Sequence, residues 1–210
     1  MNLDKVAAPA LPVPGPVYDR LFQQQQNNIL RLFFSKLTAG INALFGTHGG
    51  QYISTPAASF SSTTVQSVAA AATPTRVTLS VTDYASGLHY TPGNGIHTDV
   101  NGIYNVQFSV QVTNNDSQAH DIDIWIRKNG VDVPNTASVS TVQSTHGGIA
   151  GYQIVAANFF IPLVAEDYIE LWWAASNTSV QLNYLPAITT PFVSPGSPSV
   201  VVTLNLVNAS

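Results

Sequence analysis

Residues 101–134 read NGIYNVQFSVQVTNNDSQAHDIDIWIRKNGVDVP, and this stretch decides the fold class. From Tyr104 the apolar side chains fall at every second position (Tyr104, Val106, Phe108, Val110, Val112), while Asn105, Gln107, Ser109 and Gln111 take the other face. A period of two belongs to a half-buried antiparallel strand. Gly102 opens that strand, and the polar run Asn114-Asn115-Asp116-Ser117 closes it. Further on, Ile122, Ile124 and Ile126 share one face and Asp121, Asp123, Trp125 and Arg127 the other. Asn129-Gly130, a pair that tolerates positive φ, stops the pattern. Two long strands of opposite direction are expected here, as the seed of a sheet.

Outward from this seed the chain keeps the same character. Gly151 to Leu163, Tyr168 to Ala175, Val180 to Leu185 and Ser199 to Val207 read as later strands. Val65 to Ala72, Arg76 to Thr82 and short pieces near Leu88 and Ile96 read as earlier ones, separated by Thr73-Pro74, Ser86-Gly87 and Pro92-Gly93-Asn94-Gly95. Eight or more strands with polar turns between them make an antiparallel sandwich or jelly roll. Val200 to Leu204 and Ile154 to Leu163 are apolar on both faces, which predicts burial on two sides, inside a sheet or between subunits. Trp172 and Trp173 are adjacent, so they point to opposite faces of their strand: one toward the core, the other toward a subunit contact.

Several of these residues carry a family resemblance. Gly102-Ile103-Tyr104 leading into a long inner strand, followed by Leu163-Val164-Ala165-Glu166-Asp167-Tyr168-Ile169-Glu170-Leu171, resembles the jelly-roll module shared by tumour necrosis factor and the globular head of the first complement component. Glu166 stands where that family has glycine. The combination of IYNVQFSVQ, HDIDIWIRKNGVDVP, HGG and DYIELWW is most similar to versions carried by virion proteins of tailed bacteriophages, over about residues 60 to 207. The resemblance implies a homotrimer and a place in a phage virion assembled in the host cytoplasm. Tyr104, Phe108, Trp125, Phe159, Trp172 and Trp173 are then core or interface positions, with a trimer axis lined by residues from Phe159 to Leu163.

Composition narrows the partners. Of the 210 residues 45% are hydrophobic, enough to fill a core, and only 9% are charged, against about a quarter in ordinary soluble domains. The net charge is −4 and the 7 Lys and Arg are spread thinly, so no basic stripe exists to neutralise phosphates, and nucleic acid is not an expected partner. No run approaches the roughly 18 apolar residues that span a bilayer, and the N-terminus lacks the order of a signal peptide. No membrane contact is expected. The chain has 0 Cys, which leaves neither a disulfide framework nor a thiolate metal site.

The first segments differ from the rest. MNLDKVAAPALPVPGP carries four of the 13 prolines, which remove donors and fix φ, and reads as an extended arm over residues 1–15. Residues 16–46 have the period of a helix, with Pro16 at a first helical position, Asp19 near the positive end of the dipole and Gly46 as the stop. Leu30, Phe34, Leu37, Ile41 and Leu44 recur at alternating spacings of four and three, and Asn27 and Gln23 continue the stripe backward. This is a seam for association and anchoring, either in a bundle of several copies or against the chain's own β domain. Residues 47–64, THGGQYISTPAASFSSTT, read as a linker, and the jelly-roll domain occupies 65–210.

Side chains that could carry chemistry are scattered. His48, His89, His97, His120 and His146 show no metal-ligand spacing, so no metal or other cofactor is expected. Thr-His-Gly-Gly occurs at Thr47 and again at Thr145, as turn chemistry, although a His on a threefold axis could join two others. Asp121 and Asp123 share a face and are expected to pair with Arg127 or Lys128. The calcium loop of alternating aspartates is missing, as are a nucleophile elbow and a phosphate-cradling loop. No catalytic residue is expected. Trp125, Trp172, Trp173 and Tyr184 could stack on a sugar, a host surface glycan among them. The expectation is a mainly β chain of arm, helix and trimeric jelly-roll head, a capsid decoration protein attached through arm and helix. The alternatives are a neck or tail fibre or receptor knob, and a carbohydrate-binding module.

Overall fold

The computed structural model describes residues 9–13, 15–45 and 55–209. The chain divides into two compact units, Met1–Ser54 and Thr55–Ser210. The first eight arm residues, linker residues 47–54 with His48, and the side chain of Leu44 lie outside the described residues.

In the first unit, helix α1 spans Arg20–Phe45. It begins four residues later than Pro16 suggests, because Asp19 caps it: the Leu21 amide donates to Asp19 Oδ1 at 2.8 Å and the Gln23 amide to the Asp19 carbonyl at 3.2 Å. The carboxylate satisfies one of the free N-terminal amides, a contribution of about 1 kcal/mol. Leu30 and Leu37 are half-buried and Phe34 and Ile41 exposed, so the seam is open within its own unit. The helix carries Arg20, Arg31 and Lys36 and no acidic residue.

Among the described residues the second unit has 14 strands. In chain order they are β1 (Ala57–Ser62), β2 (Gln66–Ser67), β3 (Thr75–Arg76), β4 (Val81–Ser86), β5 (Leu88–Thr91), β6 (Gly95–Thr98) and β7 (Gly102–Asn114), then β8 (His120–Lys128), β9 (Val131–Asp132), β10 (Ser138–Val142), β11 (Gly151–Leu163), β12 (Tyr168–Ala175), β13 (Val180–Leu182) and β14 (Val200–Ala209). They form two seven-stranded antiparallel sheets. In sheet A, β7 lies between β11 on one side and β13 with β14 on the other; β14 leads on to β1 and β4, and β2 joins β13. In sheet B the order is β10-β8-β12-β6-β5, with β9 on β8 and β3 on β12.

Their inner faces share one core. Tyr104, Val106, Phe108, Val110 and Val112 of sheet A meet Ile122, Ile124, Ile126 and Trp173 of sheet B, all buried. Each such side chain contributes about 1.5–3 kcal/mol by leaving water. The Tyr104 hydroxyl is satisfied inside this core, donating to the Val100 carbonyl at 2.9 Å and lying 2.6 Å from Thr98 Oγ1.

Three expectations are corrected. The strands β7 and β8 do not pair; they belong to opposite sheets, and residues 115–119 carry the chain across the sandwich. AASFSS is strand β1, not linker: it sits between β14 and β4 and buries Phe60 completely. Of Val65 to Ala72 only Gln66–Ser67 is strand, and Arg76 to Thr82 is split between β3 and β4. Elsewhere the turns follow their residues. Asn129 and Gly130 have φ of 52° and 78° and turn β8 into β9, and Gly147 and Gly148, at 58° and 80°, close a hairpin between His146 and Ile149. Glu166 takes φ 72° where the resembling family has glycine. That turn forms nonetheless, because Asp167 Oδ2 accepts from the Val164 amide at 2.9 Å and Oδ1 from Asn129 Nδ2 at 2.7 Å.

Candidate functional site

The outer faces of the two sheets differ in chemistry. On sheet B, the outward residues of β8 and β12 build a connected polar and aromatic network. Arg76 Nη1 donates to Glu170 Oε1 at 2.8 Å, and Glu170 Oε2 accepts from Trp172 Nε1 at 3.2 Å. The Arg127 guanidinium lies 3.8 Å from the centre of the Trp172 ring, and Arg127 Nε (2.5 Å) and Trp125 Nε1 (2.6 Å) both donate to Asp132 Oδ1. The register explains the meeting, since Trp172 faces Trp125 across the strands and the turn at 129–130 sets Arg127 opposite Asp132. Trp173 points the other way and is wholly buried, so the two adjacent tryptophans do divide between faces. One face of Trp172 is already covered by Arg127, and both outward indole N–H groups are engaged, which narrows the surface a sugar could stack on.

The expected carboxylate pairs are replaced by others. Asp121 accepts from the Thr141 hydroxyl at 2.6 Å, Arg127 turns to Asp132, and Lys128 Nζ lies 2.7 Å from Asp167 Oδ2. His120 Nε2 lies 2.8 Å from Asp116 Oδ2. The structure also joins two histidines that sequence spacing left apart: His89 and His97 stack across β5 and β6, 5.1 Å between ring centres and 8° from parallel, with His89 Nδ1 3.4 Å from Asp99 Oδ1. The Pro92-Gly93-Asn94-Gly95 turn was the signal for this pairing. Among the described residues no group of three His, Asp or Glu is arranged to hold a metal.

Three aspartates are held below their ordinary pKa. For Asp116 the cause is the hydrogen bond with His120, then the Ser117 amide; for Asp132 it is Arg127, then Trp125. For Asp167 burial pushes upward, but hydrogen bonds from Lys128, the Val164 amide and Asn129 outweigh it. A depressed carboxylate stabilises the folded state above the unfolded pKa, and this is lost as pH falls through the folded value. The melting temperature of the head is therefore expected to fall once the pH drops below about 4. Asp132→Asn should lower it at neutral pH and flatten its acid slope; an unchanged slope would contradict this account.

Three adjacent strands of sheet A, β11, β7 and β14, present the opposite surface. Outward on β11 stand Tyr152, Ile154, Ala156, Asn158, Phe160 and Pro162; on β7 Ile103, Asn105, Gln107, Ser109 and Gln111; on β14 Val201, Thr203, Asn205 and Val207. None is acidic, basic or histidine. Ile154 and Phe160, on the edge strand β11, are 60% and 64% exposed. Between them lies an open trough of about 470 Å³, floored by Gln107, Ser109, Ala156, Asn158, Val201 and Thr203. Within the stretch from Phe159 to Leu163, expected to line a trimer axis, Phe159, Ile161 and Leu163 face the core, with Phe159 against Phe108 at 6.4 Å between ring centres, while Phe160 and Pro162 face outward. Set against known proteins, the sequence matches no family model and no curated protein.

Proposed function

We propose that this chain is a homotrimeric structural protein of a tailed-phage virion, which braces the capsid as a decoration protein. On this reading the arm and helix attach it and a jelly-roll head projects. The observation that carries the reading is the uncharged outer face of β7, β11 and β14, with its exposed Ile154 and Phe160. Such a face is costly in water and brings no unpaired charge into a contact, which suits a second copy of the same chain. Three strands about 4.8 Å apart and about 40 Å long present roughly 600 Å² of sheet, close to the about 800 Å² per partner of a stable interface. Jelly-roll connectivity is supported by the way the chain alternates between sheets after β7, with β8 to β10 in sheet B, β11 in A, β12 in B and β13 to β14 in A. The phage and the threefold symmetry rest on the resemblance of IYNVQFSVQ, HDIDIWIRKNGVDVP and DYIELWW.

A second reading, a fibre or receptor knob, is favoured by one feature. The loops 115–119, 143–150 and 176–179 gather at the end of the sandwich opposite the start of β1, by the register of β7 with β11, β13 and β14. Quantifying the protein on purified virions separates the two. Hundreds of copies over the shell, with heads that release DNA at lower temperature when the protein is removed and unchanged adsorption, are expected for decoration. A handful at the tail vertex would leave the knob.

A further inference from the structure

We infer that residues 184–198 of one copy form an arm whose tip seats in the sheet A trough of a neighbouring copy. This rests on the trimeric reading and names a contact that would hold the ring. The segment leaves the sheet between β13 and β14, where the Asn183 amide donates to the Gln111 carbonyl at 2.7 Å and the Gln111 amide to the Ser199 carbonyl at 2.9 Å. Gln111 Nε2, on the outward side of β7, donates to Ser197 Oγ at 3.1 Å, so the stem is tied to the face that bears the trough. Two reciprocal backbone pairs make it an ordered hairpin: Leu185 with Ser197, at 3.0 and 2.7 Å, and Ile188 with Ser194, at 3.1 and 3.0 Å.

Its tip is apolar and uncovered. Phe192 is 63% and Val193 83% exposed, so their own chain does not receive them. The trough is an open, uncharged hollow of about 470 Å³ in which Ala156 and Val201 lie among the neutral polar side chains of Gln107, Ser109, Asn158 and Thr203. Charge fits as well. Residues 171–210 contain no Asp, Glu, Lys, Arg or His, and neither does the trough, so closing the contact strands no charge. Each copy carries both plug and socket at different places, the requirement for a heterologous contact that closes into a ring.

The chain has 0 Cys, so an introduced pair reports cleanly. The full-length double variant Val193→Cys with Ala156→Cys is expected to give, on mild oxidation, disulfide-linked species of up to three chains, which neither single variant gives. Phe192→Ser with Val193→Ser, both at exposed positions, should leave the melting of the protomer unchanged and weaken association by roughly 100-fold. Trimers that persist in the serine variant, with no linked species from the cysteine pair, would overturn this contact and leave the trimeric reading standing. A monomeric wild type would overturn both.

Discussion

Gly102→Ala is expected to destabilise the β head by about 3 kcal/mol, a fall of about 6–12 °C in melting temperature for a domain of this size. The reason is backbone proximity. A Cβ built on Gly102 falls inside 3.0 Å of the Asn208 carbonyl oxygen and of Leu206 Cδ1. Those atoms belong to β14 where its register with β7 shifts, between Leu206 and Asn208. A backbone carbonyl cannot rotate away as a side chain can, so the end of β14 must separate from β7. Two residues on, the buried Tyr104 depends on the same stretch of backbone for its hydrogen bond to Val100. Thermal unfolding followed by circular dichroism measures the effect, and a melting temperature within a degree of wild type would refute the close approach.

Phe160→Asp and Ile161→Asp, neighbours in β11, should fail in different ways. Phe160 points outward from sheet A and is exposed, whereas Ile161 is buried in the core. A carboxylate at 161 is an unpaired charge between the sheets, which costs several kcal/mol and unfolds the head. At 160 it is solvated in the single chain and costs almost nothing there, but copies that cover this face must desolvate it. The expected outcome is a folded protomer with a normal melting curve and association weakened by at least about 1,000-fold, read by light scattering. If Phe160→Asp associates as the wild type does, the outer face of sheet A is not the contact.

How much of this was legible depended on whether a residue's neighbours in sequence were also its neighbours in space. The alternation from Tyr104 to Val112 assigned faces correctly because the pleat alone decides them, and β11 and β12 begin and end where the pattern does. The same alternation could not say which strand lies beside which. A five-residue polar connection serves a hairpin or a crossing between sheets equally well, and here 115–119 crosses. AASFSS looked like linker because Ser and Ala dominate it; its single large residue, Phe60, is buried in the core 6.0 Å from the Tyr90 ring, and its strand pairs with β14, about 140 residues away. Residues 189–198 show the same effect, because Thr, Pro and Ser dominate them. Prolines and serines hide Phe192 and Val193, and only the paired stem reveals that these two are held out on an arm. The Arg127–Asp132 contact could have been read, since a two-residue Asn-Gly turn sets the residues two before it and two after it opposite each other.

The most direct test of the trimer is the oligomeric state of the full-length chain, measured by sedimentation equilibrium at micromolar concentration and neutral pH. A single species with three times the mass of the chain, unchanged on dilution across that range, is expected. A species with the mass of one chain would contradict the trimer.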